Sequence, residues 1–349
     1  MAKRKIWIDC AKVVAIISVI LCHVKGTVYT SDIVRALGNF SVSLFVLLSG
    51  VTAWYSLKKV QTKNPFVIQI VRILKLFGAY ALATLMYHIY HERTIVPKEY
   101  FEHLIDFDIT GPFYFFVFFF QLMIIAPLLA WWIQFCKNKK QQVLWHVLSV
   151  VGITIIATLS IQFTSIRDYF GGSRYLFGGT YLILYYVGML LSAVGCLENG
   201  ERRKKYCFWV ALPMWIVWWV LSGLDLLPFD NWLRDLWGNG VNPPSFNVIL
   251  FAIITLFLAY SVFDSLSLHQ SKWIQSVLKA LSVIGKATLY IFMYHMLILD
   301  ILWDRAFFEN SLLVRQVITI PLLIIVPILI QYVIGWSVKI VAKSFKGQR

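Results

Sequence analysis

The chain has 349 residues, of which 59% are hydrophobic and 16% aromatic, while only 14% are charged. Gathered in long blocks, that apolar share excludes an ordinary soluble domain and points to a chain threaded repeatedly through a bilayer. A net charge of +15 would suit nucleic acid in a soluble protein; here the basic residues fall mostly in short connections between apolar blocks, where they set orientation, so no nucleic-acid partner is expected. Cys10, Cys22, Cys136, Cys196 and Cys207 lie in or beside the blocks without CxxC or metal spacing, which leaves neither a disulfide framework nor a metal site to expect.

Apolar runs of about 20 residues predict spans over Trp7–Lys25, Ile33–Leu57, Pro65–Tyr90, Pro112–Cys136, Gln141–Phe163, Leu176–Gly195, Tyr206–Leu226, Phe246–Leu266, Val283–Trp303 and Val317–Ile340. The fold class read from them is an all-α polytopic integral membrane protein of about ten transmembrane helices, a single domain over residues 1–349 with no separate soluble part. Loop charges agree with an even number of spans. Lys3, Arg4 and Lys5; Lys58, Lys59 and Lys63; Lys137, Lys139 and Lys140; and Arg202, Arg203, Lys204 and Lys205 share one side, whereas Glu92, Glu99, Glu102, Asp106, Asp108, Asp225, Asp304 and Glu309 share the other. Basic loops stay inside, so both termini are expected in the cytoplasm and the protein in the plasma membrane. Asp9 and Lys12 interrupt what would be the apolar core of a secretory leader, and no small-residue cleavage site follows His23, so the first segment is read as a retained span.

That segment, WIDCAKVVAIISVILCHVK, carries three ionisable residues among lipid-compatible side chains. On a helix turning about 100° per residue, Lys12 and His23 lie only about 20° apart and about 16 Å along the axis. Asp9 sits one turn below Lys12, where an acid and a base can pair. Charges inside a membrane helix must face protein or water, which makes the stripe a site candidate; snorkelling of Lys12 and an interfacial place for His23 explain it equally well.

In the second segment Ser41, Ser43, Ser49 and Gly50 are small residues of the kind that let helices approach closely. The third carries Arg72 and Lys75 about one turn apart in its inner half; the two cations call for a counter-ion, either an anionic cofactor entering from the cytoplasm or lipid headgroups. The fourth, opening GPFYFFVFFF, is strongly aromatic: a groove for lipid or sugar would use it, and so would packing and interfacial anchoring. Near the end, IGKATLYIFMYHMLILD places His295 and Asp300 in the ninth span, His295 serving either proton transfer or a helix–helix hydrogen bond. The longest connections, His91 to Gly111 and Leu227 to Ser245, lie on the carboxylate-bearing side.

These pieces together resemble the family-3 membrane acyltransferases, the family of many bacterial surface-glycan O-acetyltransferases, over nearly the whole chain. The opening IDCAKVVAIISVILCHV is similar to the family's Asp-x-x-basic pattern followed by ten residues and a histidine, met by Asp9, Lys12 and His23. FVLLSGV resembles its Ser-Gly-Phe motif, with Ser49 and Gly50 present and Val51 in place of the aromatic. Arg72 and Lys75 meet its paired-arginine motif, PFYFF with Tyr114 its aromatic motif, and IGKATLYIFMYH with His295 its late Gly-x-x-Ser…Tyr…His stretch. Lysine stands at two positions where the family has arginine, keeping the charge without the bidentate fork.

The resemblance implies an acyl-CoA-dependent O-acyltransferase that moves a short acyl group, acetyl above all, onto a hydroxyl of a cell-envelope glycan or glycolipid. His23 is then the catalytic base, since imidazole takes a hydroxyl proton near neutral pH. Asp9 supports it from the catalytic set by holding Lys12. Lys12, Arg72, Lys75, Ser49 and Gly50 form the donor-binding set, and His295 and Tyr114 are further candidates. Acetyl-CoA is the donor substrate and no metal is expected. The bilayer, the acceptor and acyl-CoA are the partners, with a separate envelope protein conceivable as a fourth. Intramembrane charges equally suit a carrier or exporter of polysaccharide or lipid-linked sugar; against that alternative, the second half of the chain does not repeat the Asp9–Lys12–His23 pattern.

Overall fold

A computed structural model describes residues 5–59, 64–162, 175–198, 200–227, 237 and 240–346, with side chains for all of these but 59, 203 and 338–346. Lys3, Arg4 and Lys63 of the charge argument, and Phe163 at the end of the fifth predicted span, lie outside the described residues. In chain order the helices are α1 (Ile6–His23), α2 (Asp32–Ala36), α3 (Ser41–Lys59), α4 (Pro65–Glu92), α5 (Pro97–Asp106), α6 (Tyr114–Lys137), α7 (Gln142–Gln162), α8 (Tyr181–Ala193), α9 (Glu201–Gly223), α10 (Phe246–Ser267), α11 (Lys272–Asp304) and α12 (Leu312–Lys346). Local chemistry sets several of their ends. Asn64 caps α4 by accepting from the Phe66 amide at 2.9 Å with Pro65 in the first turn, and Ser31 caps α2 through the Val34 amide.

Among the described residues nine helical stretches are long and apolar enough to cross a membrane. The tenth predicted span, Leu176–Gly195, is helical only over the 13 residues of α8. Phe177, Gly178 and Gly179 take positive φ values of 54°, 91° and 53° and stop a helix from starting earlier, a break that hydropathy does not register. α8 is tied at both ends: Tyr181 at its start donates to Asn242, and the Ala193 carbonyl at its end accepts from Lys137 at 3.1 Å. The second predicted span is also broken, into α2 and α3. Gly38 between them packs onto α1 so closely that a Cβ there would lie 2.1 Å from Cys22 Sγ and 2.8 Å from the Ser18 carbonyl. α11 begins at Lys272, well before the predicted Val283, because its lysine-bearing first turns continue the helix past the apolar window.

The inner helices touch backbone to backbone. A Cβ on Gly50 of α3 would lie 2.1 Å from the Tyr185 carbonyl of α8, and one on Gly188 of α8 would lie 2.1 Å from the Leu47 carbonyl of α3; α1 and α11 cross at Gly285, whose Cβ would lie 2.3 Å from the Asp9 carbonyl. This is the small-residue packing that helices use where lipid removes the hydrophobic driving force. Around this core α4, α7, α9 and α12 present exposed Leu74, Ile155, Trp209 and Leu329, an outer surface that suits hydrocarbon and would be untenable in water.

Candidate functional site

Two cavities open inside this bundle, one above the other along α1. The first, about 430 Å³, lies between α1, α3, α4, α6, α8 and α11. Its polar lining comes from Lys12, from Ser49, Thr52 and Ser56 of α3, from Gln69 and Arg72 of α4, and from Tyr185 of α8 and Thr288 of α11. Helical spacing explains the set, since positions three, four and seven apart share a face. Arg72 donates to Ser56 Oγ, which fixes the guanidinium against α3 and leaves most of its five N–H groups for a ligand. Among the described residues Lys12 and Arg72 are the charged lining residues and no carboxylate joins them, so the cavity favours an anion.

The second cavity, about 390 Å³, is lined by His23 at the end of α1, by Tyr114 at the start of α6, and by Arg35, Asn39, Ser41 and Asn242. His23 is exposed to it. Tyr114 stacks on Tyr175 with ring centroids 5.5 Å apart. Phe292 of α11 lines both cavities, its ring packed on Phe115 at 5.0 Å and His295 at 6.0 Å.

His295 is fully buried, its ring centroid 5.0 Å from that of His23. Its Nδ1 lies 2.8 Å from the Phe292 carbonyl and 3.2 Å from that of Ile291. Carbonyls only accept, so Nδ1 carries the proton and Nε2 holds a lone pair, which has no partner among the described residues. These hydrogen bonds stay within α11 and so are not the helix–helix bond expected of this residue, while its ring lies beside that of His23.

The sequence candidates divide accordingly. Lys12, Arg72 and Ser49 meet in the first cavity, and His23 and Tyr114 in the second. Asp9 joins neither: it is 2% exposed at the α1–α11 crossing, where Ser282 Oγ donates to its Oδ2 at 2.9 Å, and along α1 it lies about 20 Å from His23. Asp9 therefore takes part in a buried helix-crossing contact, one turn from Lys12 on α1. Lys75 is exposed and outside both cavities, because it lies about 60° round α4 from Arg72 on the side opposite Gln69 and Leu76. Gly50 sits against the Tyr185 backbone, so its role is close packing, while Ser49 beside it lines the cavity and donates to the Phe45 carbonyl at 2.8 Å. Gln69, Thr52 and Ser56 were not singled out from sequence. Their signal was present in the i, i+3, i+7 spacing Ser49–Thr52–Ser56 and in Gln69 one turn before Arg72.

A family model described as an acyltransferase domain matches residues 5–335, nearly the whole chain. The chain belongs to acyltransferase family 3. It is thus a multi-pass membrane acyltransferase, and the family assignment goes with the enzyme reading of the intramembrane charges over the carrier reading. No curated protein and no solved structure matches the chain. In this acyltransferase the family match spans both cavities and every helix that lines them.

Proposed function

We propose that the acyltransferase takes a short acyl group, acetyl above all, from cytoplasmic acyl-CoA in the Lys12–Arg72 cavity and transfers it to a hydroxyl of a cell-envelope glycan or glycolipid in the His23 cavity. The observation that carries this reading is the pairing of an anion-favouring cavity with one that holds an imidazole, both bounded by Phe292. Lys12 and Arg72 hold the phosphate-bearing donor by charge-assisted hydrogen bonds. Gln69, Ser49 and Thr52 offer neutral partners to its amides. His23 accepts the acceptor's hydroxyl proton as the oxygen attacks the thioester carbonyl. The new O–acyl bond forms as the C–S bond breaks, and the proton held on His23 passes to the departing thiolate, so the chain ends the cycle unchanged.

The test uses the full-length protein in nanodiscs with acetyl-CoA. The unmodified chain is expected to bind acetyl-CoA. Arg72→Ala should weaken that binding by about tenfold, the worth of one charge-assisted hydrogen bond. His23→Ala should bind normally and lose about 10²–10⁴ in acyl transfer. A folded sample that does not bind acetyl-CoA overturns the donor assignment, and an active His23→Ala overturns the base.

A further inference from the structure

A groove separate from both cavities opens at the lysine-rich face, where α6 ends, α7 begins and α8 stops short. Its volume is about 600 Å³. Val147 and Val151 of α7 and Leu190 and Leu191 of α8 form its apolar walls, and Lys137, Gln142 and His146 supply its polar groups. Among the described residues no carboxylate lines it.

His146 is only 8% exposed, and neither of its ring nitrogens has a partner among the described residues. A neutral imidazole carries one N–H and one lone pair, and buried polar groups are ordinarily both satisfied. A ligand at the polar end of this otherwise apolar trough would satisfy both nitrogens by offering an acceptor and a donor at once. Lys137 contributes a cation there. Its Nζ donates to the Ala193 carbonyl at 3.1 Å, which anchors the ammonium at the groove and leaves its other N–H groups for a second acceptor. The length of α8 explains why a polar ligand can reach this depth: 13 residues span about 20 Å, some 10 Å less than the hydrocarbon core.

We propose that this groove binds an anionic phospholipid. Its phosphate is held by Lys137 and by the N–H of His146, a hydroxyl of its headgroup donates to the other ring nitrogen, and an acyl chain runs between α7 and α8 along Val147, Val151 and Leu190. The site does not depend on the acyl donor or the acceptor and stands apart from the transfer reaction.

The test is native mass spectrometry of the full-length protein, delipidated in detergent and titrated with phosphatidylglycerol or phosphatidylcholine. The unmodified chain is expected to retain one phosphatidylglycerol in preference to phosphatidylcholine. His146→Leu and Lys137→Gln should each cut phosphatidylglycerol retention by about tenfold, the worth of a charge-assisted hydrogen bond, and leave phosphatidylcholine unchanged. His146→Gln, which restores a donor and an acceptor, should recover part of the preference, and Lys98→Ala, an exposed lysine on the opposite face, should have no effect. Equal retention of the two lipids by the unmodified chain, meaning an annular lipid only, overturns the proposal. So does an unchanged preference in folded His146→Leu and Lys137→Gln.

Discussion

Phe292 lines both cavities, and its ring packs on Phe115 and on His295. If acyl donor and acceptor meet there, the ring also keeps water of the His23 cavity from the thioester until an acceptor hydroxyl arrives. Phe292→Ala should join the cavities and raise the acceptor-independent release of CoA thiol severalfold; thiol titration in nanodiscs checks it. Because truncating a buried phenylalanine costs about 3–5 kcal/mol, Phe292→Leu is the companion variant, expected to show a smaller rise with less loss of stability. Thiol release equal to that of the unmodified chain in both would remove the ring from that role. At this scale the sequence was partly legible. The Lys12–His23 spacing is a property of one helix and survives intact, each residue facing its own cavity. Arg72 and Lys75 are equivalent by type and differ only in which face meets α3, a fact that resides in the neighbouring helix. The contact between Ser282 and Asp9 was illegible for a similar reason: Ser282 is distant in sequence and joins Asp9 only when α11 crosses α1.

Helix packing sets the shape of the donor cavity, because α3 contributes Ser49, Thr52 and Ser56 to its wall while Gly50, on the adjoining face, holds α3 against α8. A methyl at Gly50 would meet the Tyr185 carbonyl at 2.1 Å, a backbone atom that cannot swing aside. Gly50→Ala should push the helices apart and destabilise the protein by about 1–3 kcal/mol, seen as a lower unfolding temperature in detergent. Gly188→Ala should do the same, since its Cβ would meet the Leu47 carbonyl at 2.1 Å, and the double variant should cost less than the sum because one separation relieves both clashes. Unfolding temperatures that add fully would mean that the two contacts are independent. Hydropathy located the spans because the bilayer demands long apolar runs. It missed the break at Phe177–Gly179 and the split between α2 and α3, which depend on backbone dihedrals and close approach, neither of which is carried by apolarity.

Side-chain ties between distant segments mark the two faces of the whole molecule. On the lysine-rich face Lys5 Nζ reaches Glu198 at 3.1 Å and Tyr55 at 2.8 Å, Lys137 reaches the end of α8, and Lys204 pairs with Asp264. On the other face Tyr90 and Arg93 meet Asp304, and Gln316 at the start of α12 donates to the Val28 carbonyl beyond the end of α1. α12 therefore returns the chain to the lysine-rich face, where α1 began. The Lys5 hydrogen bond holds the Glu198 carboxyl below its usual range, against burial that pushes it up. A depressed carboxyl stabilises the fold above its unfolded pKa, and that contribution is lost as pH falls through the folded value. The Glu198 side chain is 46% exposed, so solvent screening keeps the effect small. Glu198→Gln should unfold slightly below the unmodified chain at pH 7, with the gap closing below about pH 4; a gap independent of pH would assign the loss to packing.

Which of these faces is cytoplasmic decides whether the proposed delivery can work. Acyl-CoA is made in the cytoplasm, and the Lys12–Arg72 cavity lies toward the lysine-rich end of α1, whereas His23 lies toward the carboxylate-bearing face. Basic connections favour the inside because Lys and Arg resist translocation. In a background with the five cysteines replaced, Lys139→Cys should react with a membrane-impermeant maleimide only after intact cells are permeabilised, and Glu102→Cys before. Both positions are exposed in the structure, so each label reports sidedness and not burial. The reverse pattern would turn the anion-favouring cavity outward, away from the only compartment that supplies the donor, and the two-cavity transfer would fail for that reason even with every distance in the site unchanged.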